Sequence, residues 1–475
     1  MPKKNLLQIS RGIVWIIAVF LFLFCYWERN IQGMFIVILV IFFLNLCFAL
    51  VKFENRMAYT LFLASFFCFM LGRMSMEFFT KGSVNFYFAD DITIHTLISI
   101  FISLIFLQLG VELCENRWKN SKPNGISKEY KKELQKYAQI LFCIAGIIAI
   151  AMNIEQILFV HKYSYVGLFK EFVSNIPRIF QVLGNMYIAS FIVFLSTFPS
   201  KKDCVFSIVL FSVVTVTILL TGDRGTFVCN FAVLVVYIFW RQYIDHEIWI
   251  SKKLTIIGIA CIPLLLAGMS FFVYIREGVD VGERTVIAQI IRFFKASGNS
   301  VDILSYGKEY QEHFPKSFYS FGELIDYVKY NPISQVLFNT VKPKPHTVEY
   351  VEIMHSYAHS ISYFISPDEY LLGHGRGSSY IAEAYHDFGY IGIGVCNLIY
   401  GMFLAGIYKL NKYNPFVIAS AFIALRILFY VPRGPMISPI SYILNITTVS
   451  AMFFLWAITK YQSGVWKYIN IKKGE

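Results

Sequence analysis

The residues best suited to chemistry lie in one stretch, Gly373-His374-Gly375-Arg376-Gly377-Ser378-Ser379, followed by Tyr380-Ile381-Ala382-Glu383-Ala384-Tyr385-His386-Asp387-Phe388-Gly389-Tyr390. A glycine-rich loop enters an apolar helix. The Ser378 or Ser379 hydroxyl is expected to cap that helix, and the free N–H groups of its first turn favour an anion. Ser379, Glu383, His386 and Tyr390 follow at steps of four, three and four, so a continuous helix puts them on one face. A carboxylate and an imidazole within an apolar helix are costly unless paired or hydrated, which marks Glu383 and His386 as functional candidates. The competing role is structural: Glu383 pairs with a neighbouring Arg and holds helices together. Gly389, Gly392 and Gly394 read as sites of close helix packing.

Cations form the second group. Arg224 sits in Thr221-Gly222-Asp223-Arg224-Gly225-Thr226, Arg276 in Tyr274-Ile275-Arg276-Glu277-Gly278, and Arg433 in Pro432-Arg433-Gly434-Pro435, while Arg376 and Arg426 stand at the ends of apolar runs. Arg carries a planar fork that grips phosphate or carboxylate at two points, which Lys does not. Several Arg at one depth could form a pocket for a pyrophosphate, and adjacent Gly lets a backbone come close to a ligand. The bland alternative is Arg snorkelling at helix ends.

Other chemistries find little support. His355 and His359 stand four apart, a metal-seating step if helical, but no third ligand follows at a convincing spacing. The nine cysteines include no Cys-x-x-Cys pair and lie within or at the ends of apolar runs, so no disulfide framework and no zinc site is expected. There is no phosphate-binding Gly-rich loop ending in Lys-Ser/Thr, no Asp-x-Asp motif and no nucleic-acid-binding motif. No cofactor and no metal are expected.

What positions these residues is a membrane. The chain is 57% hydrophobic and 15% charged, well outside the balance of a soluble domain. Apolar runs at 12–27, 32–51, 57–72, 92–113, 138–160, 179–198, 204–220, 226–243, 254–275, 380–408, 414–431 and 436–459 predict about 12 transmembrane helices. The fold class is therefore an all-α polytopic membrane protein. Residues 1–275 carry the first nine helices, 276–378 one large extracytoplasmic loop, and 379–475 the last three helices and a short cytoplasmic tail. The first apolar run has no small-residue cleavage site after it and reads as a retained helix. Lys and Arg are concentrated in alternate short loops, including the run from Arg117 to Lys136, which puts both termini in the cytoplasm. The net charge of +12 is then mostly a topology signal. In the long loop, Val286, Ile287, Ile290, Ile291 and Phe294 repeat at helical spacing, predicting short amphipathic helices on the outer membrane surface. Lys342-Pro343-Lys344-Pro345 reads as an extended turn.

With this architecture, the patches around Arg224, Arg276, Arg376–Glu383 and Arg433 resemble the Wzy family of bacterial polysaccharide polymerases, which act on O-antigen or other oligosaccharide repeat units. The resemblance implies a fold like that of the C-type glycosyltransferases and a location in the bacterial cytoplasmic (inner) membrane. It also implies metal-independent transfer of a glycan from undecaprenyl pyrophosphate onto a lipid-linked repeat unit at the outer leaflet. Substrate partners are then undecaprenyl-pyrophosphate-linked oligosaccharides and membrane lipids, with a flippase and a chain-length regulator as protein partners and no nucleic acid. In that reaction Arg224, Arg276 and Arg433, assisted by Arg376, bind pyrophosphate; Glu383 or His386 takes the acceptor proton; Tyr380 and Tyr385 stack on sugars. Two alternatives stand beside it, an O-antigen-type ligase with the same donor and a lipid-linked oligosaccharide flippase. The single large loop and the absence of a visible internal repeat weigh against the flippase.

Overall fold

A computed structural model describes residues 3–117, 127–163, 166–169, 171–277, 285–315 and 317–472, without the side chains of 3–11, 117, 166, 169, 271–277, 332–333 and 465–472. Among these residues the chain is helical throughout, with no strand. Among the described residues nine helices are long and apolar enough to cross a membrane, and a tenth results if the bent pair Ser438–Leu444 and Ile446–Gly464 is one span. The two other expected segments are also helices, Lys3–Trp27 and the shorter Pro415–Leu428. The third span runs beyond the expected 57–72 and reaches Lys81. It does so through a widened π turn at Phe67–Leu71, which lets the helix continue where polar residues begin.

Helices approach closely where side chains are smallest. Asp90–Arg117 packs along Tyr380–Gly406. A methyl group on Gly110 would sit 2.2 Å from the Leu398 carbonyl, and one on Gly401 would sit 2.1 Å from that of Leu107. These two, rather than Gly389, provide the tight contact. Gly389 has φ +63° and ψ −156° and breaks the helix it lies in, a conformation that suits Gly. The expected single stripe from Ser379 to Tyr390 therefore does not extend through Tyr390.

Polar bolts complete the bundle. Asn45 donates to the Leu104 carbonyl at 3.1 Å, Tyr380 donates to Asn397 at 2.7 Å, and Arg56 forks onto both Glu115 oxygens at 2.6 Å.

The 276–378 segment is built from short helices docked on the bundle. Thr285 caps Val286–Gly298, its hydroxyl accepting from the Ala288 N–H at 3.3 Å. That helix confirms the periodicity read at 286–294 but is held down by more than its apolar face. Phe294 packs against Phe67, Ser270 donates to the buried Gln289, and Gly298 sits against the backbone of Arg73. Arg73 then grips both carboxylate oxygens of Asp302, joining the third span to the segment. Residues 341–344 are irregular, as the paired prolines require.

Candidate functional site

Three turns of the bundle and three short helices of the 276–378 segment, Gly322–Tyr330, Tyr357–Ile365 and Pro367–Leu371, line a cavity of about 570 Å³. The first turn follows helix Lys201–Thr221. Gly222 ends that helix at φ +102°, and Asp223 caps the next one, accepting from the Thr226 N–H at 3.0 Å. The second is the Gly373–Ser379 loop, in which Gly373 and Gly377 take positive φ and the Arg376 N–H donates to Ser362 at 3.0 Å. The third is Val431–Arg433 and the residues after it, before helix Ser438–Leu444. Backbones meet here as the glycines allow: a Cβ on Gly225 would lie 2.8 Å from the Tyr430 ring, and one on Gly377 would lie 3.6 Å from the Arg433 carbonyl.

Of the expected anion-binding residues, Arg433 lines the cavity, and among the described residues its guanidinium forms no ion pair. Arg426 lines it as well. It is 7% exposed and donates to the neutral Asn230 Oδ1 at 2.5 Å. A buried guanidinium with an amide for its neighbour keeps its full charge toward the cavity. Arg224 is half-buried and points one nitrogen at the Met269 carbonyl, 3.3 Å away; its neighbours Asp223 and Gly225 line the cavity, while it does not. Arg376 is exposed, its guanidinium 5.9 Å from the centre of the Tyr306 ring. Arg276 is in the last turn of helix Lys252–Glu277, and its side chain lies outside the described residues.

Neither Glu383 nor His386 lines the cavity, though Glu383 is bonded to Ser378, which does. Glu383 is 1% exposed. One oxygen accepts from the Ser378 hydroxyl at 2.6 Å and the other from the Met436 N–H at 2.8 Å. The expected Arg partner is replaced by these two donors, which tie the glycine-rich loop to the turn after Arg433. Ser378 is thus engaged by the carboxylate, and Ser379 occupies the cap position with its hydroxyl unpaired, so neither caps the helix by its side chain. His386 bonds Asp387 through Nδ1 at 2.8 Å, and Asp387 also accepts from the Tyr319 and Ser320 N–H groups. The imidazole packs against Phe314 and Tyr319. Tyr380 is buried and bonded to Asn397, so its ring is closed to a sugar. Tyr385 packs at a tilt against His95 and receives a bond from Lys308.

The cavity's other polar wall was not visible in the sequence. Glu323, on helix Gly322–Tyr330, lines it and accepts from the Ser438 hydroxyl at 2.7 Å. Burial raises its carboxyl above the ordinary range, partly countered by hydroxyls of Ser438 and Ser441 and reinforced by Asp326. His346, His359 and Tyr370 form one corner. His359 Nδ1 meets the Tyr370 hydroxyl at 2.9 Å and His346 Nδ1 meets the Tyr370 carbonyl at 2.9 Å. Burial, with His346 and Lys342 nearby, lowers His359 to about 4, so its ring is neutral at neutral pH. His355 does not join His359. It precedes helix Tyr357–Ile365 and pairs with Asp326 at 2.9 Å. Among the described residues no three His, Cys, Asp or Glu side chains converge as a metal site.

A family model described as O-antigen polysaccharide polymerase Wzy matches residues 11–464. No curated protein and no solved structure matches the chain.

Proposed function

The chain belongs to the O-antigen polysaccharide polymerase Wzy family, and from that premise we propose that the cavity binds a polyprenyl-pyrophosphate-linked glycan and transfers it to a lipid-linked repeat unit. The polymerase role follows from the family. We further propose that the site faces the outer leaflet, that transfer needs no metal, and that the chain sits in the bacterial cytoplasmic membrane with both termini inside.

One observation carries it: Arg426 and Arg433 line the same cavity, and neither has a carboxylate partner among the described residues. Such a wall suits a dianion. In the reaction, the acceptor hydroxyl oxygen bonds to the anomeric carbon as the bond from that carbon to the pyrophosphate oxygen breaks. The leaving oxygen gains charge, and fixed guanidinium groups stabilise it without reorganising. Arg224 and Arg376, and Arg276 at a neighbouring helix end, act from the rim. Glu383 holds the Ser378 and Met436 segments that frame Arg433, and the His386–Asp387 pair holds Phe314, Tyr319 and Ser320. Both are positioning residues in this reading.

The test is polymerisation in vitro by the purified full-length protein on purified lipid-linked repeat units. A ladder of products from the wild type is expected, with no ladder from Arg433→Ala. It should persist in a chelator. A full ladder from Arg433→Ala, or chelator loss rescued by a divalent metal, overturns the reading. Transfer to a surface-lipid core instead of to another repeat unit would identify a ligase.

A further inference from the structure

We propose that Glu323 is the general base that removes the proton from the acceptor hydroxyl. The proposal rests on the reading above and adds the group that activates the nucleophile. The proton passes to a Glu323 carboxylate oxygen while the acceptor oxygen forms the new glycosidic bond. The electron pair of the broken bond leaves on the polyprenyl pyrophosphate. No oxidant, metal or further reactant is needed.

Three features favour Glu323. First, it lines the cavity that holds Arg426 and Arg433, which Glu383 and His386 do not. The other carboxylate on that wall, Asp223, is committed to capping a helix. Second, it is held firmly. A Cβ on Gly322 would lie 1.9 Å from the His355 carbonyl, so the start of the helix presses against that backbone. One turn on, Asp326 accepts from both the N–H and the ring of His355, at 3.0 and 2.9 Å. Third, it is bonded to the anion-binding turn. Ser438, which donates to Glu323, stands two residues after Met436, the residue gripped by Glu383, and five after Arg433. Base and clamp therefore share one short stretch of chain.

The electrostatics supply a sequence of events. Arg426, Arg433, His346, His359, Tyr370 and Tyr442 share the cavity with Glu323, as does Asp223; Asp326 is on the same helix, and Glu383 and Tyr350 feel the charge of Glu323 from neighbouring elements. Before the donor arrives, the hydroxyls of Ser438 and Ser441 favour the charged carboxylate against its burial. A bound pyrophosphate brings negative charge into the same cavity, and the proton affinity of Glu323 rises when the acceptor has to be activated.

The experiment uses the full-length protein in nanodiscs, purified lipid-linked repeat units for turnover and undecaprenyl pyrophosphate as the binding probe. Glu323→Gln is expected to lose turnover by about a hundredfold or more while binding the probe as the wild type does. Glu323→Asp should recover part of the turnover. Ser438→Ala removes a donor that favours the charged form, so the acid limb of its pH–rate profile should move to higher pH. Near-wild-type turnover by Glu323→Gln, or an unmoved limb in Ser438→Ala, overturns the assignment. So does a loss in His359→Gln alone. Failure of the underlying reading looks different: Arg433→Ala would still bind the probe, whatever the Glu323 variants do.

Discussion

Glu383 accepts the backbone N–H of Met436 at 2.8 Å, across 53 positions of sequence, while its other oxygen holds Ser378. A fully buried carboxylate with both oxygens engaged is a brace between two loops. Removing it strands two buried donors, each worth about 1–3 kcal/mol. Glu383→Ala should therefore melt well below the wild type in detergent and lose activity with its fold, with Glu383→Gln in between. A Glu383→Ala protein that melts like the wild type yet makes no glycan would instead mean that Glu383 takes part in the chemistry.

The arginines should separate by their place around the cavity. Arg433→Ala should weaken binding of undecaprenyl pyrophosphate by roughly tenfold to a hundredfold, the worth of a charge-assisted pair, with little change in melting. Arg426→Ala should lose binding and also stability, because Asn230 Oδ1 is left buried without its donor. Arg224, turned toward Met269, should matter less than either. Equal losses in Arg224→Ala and Arg433→Ala would place the anion elsewhere than in this cavity.

How much of this was legible beforehand varies with distance along the chain. The apolar runs mark their helices because burial in lipid needs about 20 apolar residues in succession. The 432–435 turn announces itself by two prolines around Arg433 and Gly434. Glu383 was recognisable as an anomaly, but its stripe assumed a continuous helix, and Gly389 breaks that helix through its positive φ. Glu323 left no mark. Its partner Ser438 is 115 residues away, and no periodicity encodes how a loop folds back onto a bundle. The same holds for Arg426: its neighbour Asn230, 196 residues distant, turns a helix-end cation into a cavity wall.

Gly322 offers a sharper test of how Glu323 is held. An alanine there would drive its methyl to 1.9 Å from the His355 carbonyl, a backbone atom that cannot swing aside. The helix has to shift, at a cost of about 1–3 kcal/mol for such overpacking, and Glu323 moves with it. Gly322→Ala should lose turnover while Gly268→Ala, whose added methyl meets nothing within 4 Å, stays near wild type. Equal activity in the two variants would show that the Glu323 helix is free to adjust.

The His346–His359–Tyr370 corner should make stability fall in acid. His359 sits at about 4 in the folded protein against an ordinary value of 6.5, mainly through burial. A depressed histidine is neutral when folded and charged when unfolded between those two values, so unfolding takes up a proton there. Its contribution is fully present above about 6.5 and is lost progressively as pH falls toward 4. At about 1.4 kcal/mol per unit, that amounts to roughly 3 kcal/mol across the window. Replacing His359 with Asn removes this titration and leaves every other acid-sensitive group in place. Melting of the wild type in nanodiscs should therefore drop more between pH 7.5 and 4.5 than melting of His359→Asn. Identical drops would mean that the ring titrates alike in the folded and the unfolded chain, and that burial does not hold it neutral in acid.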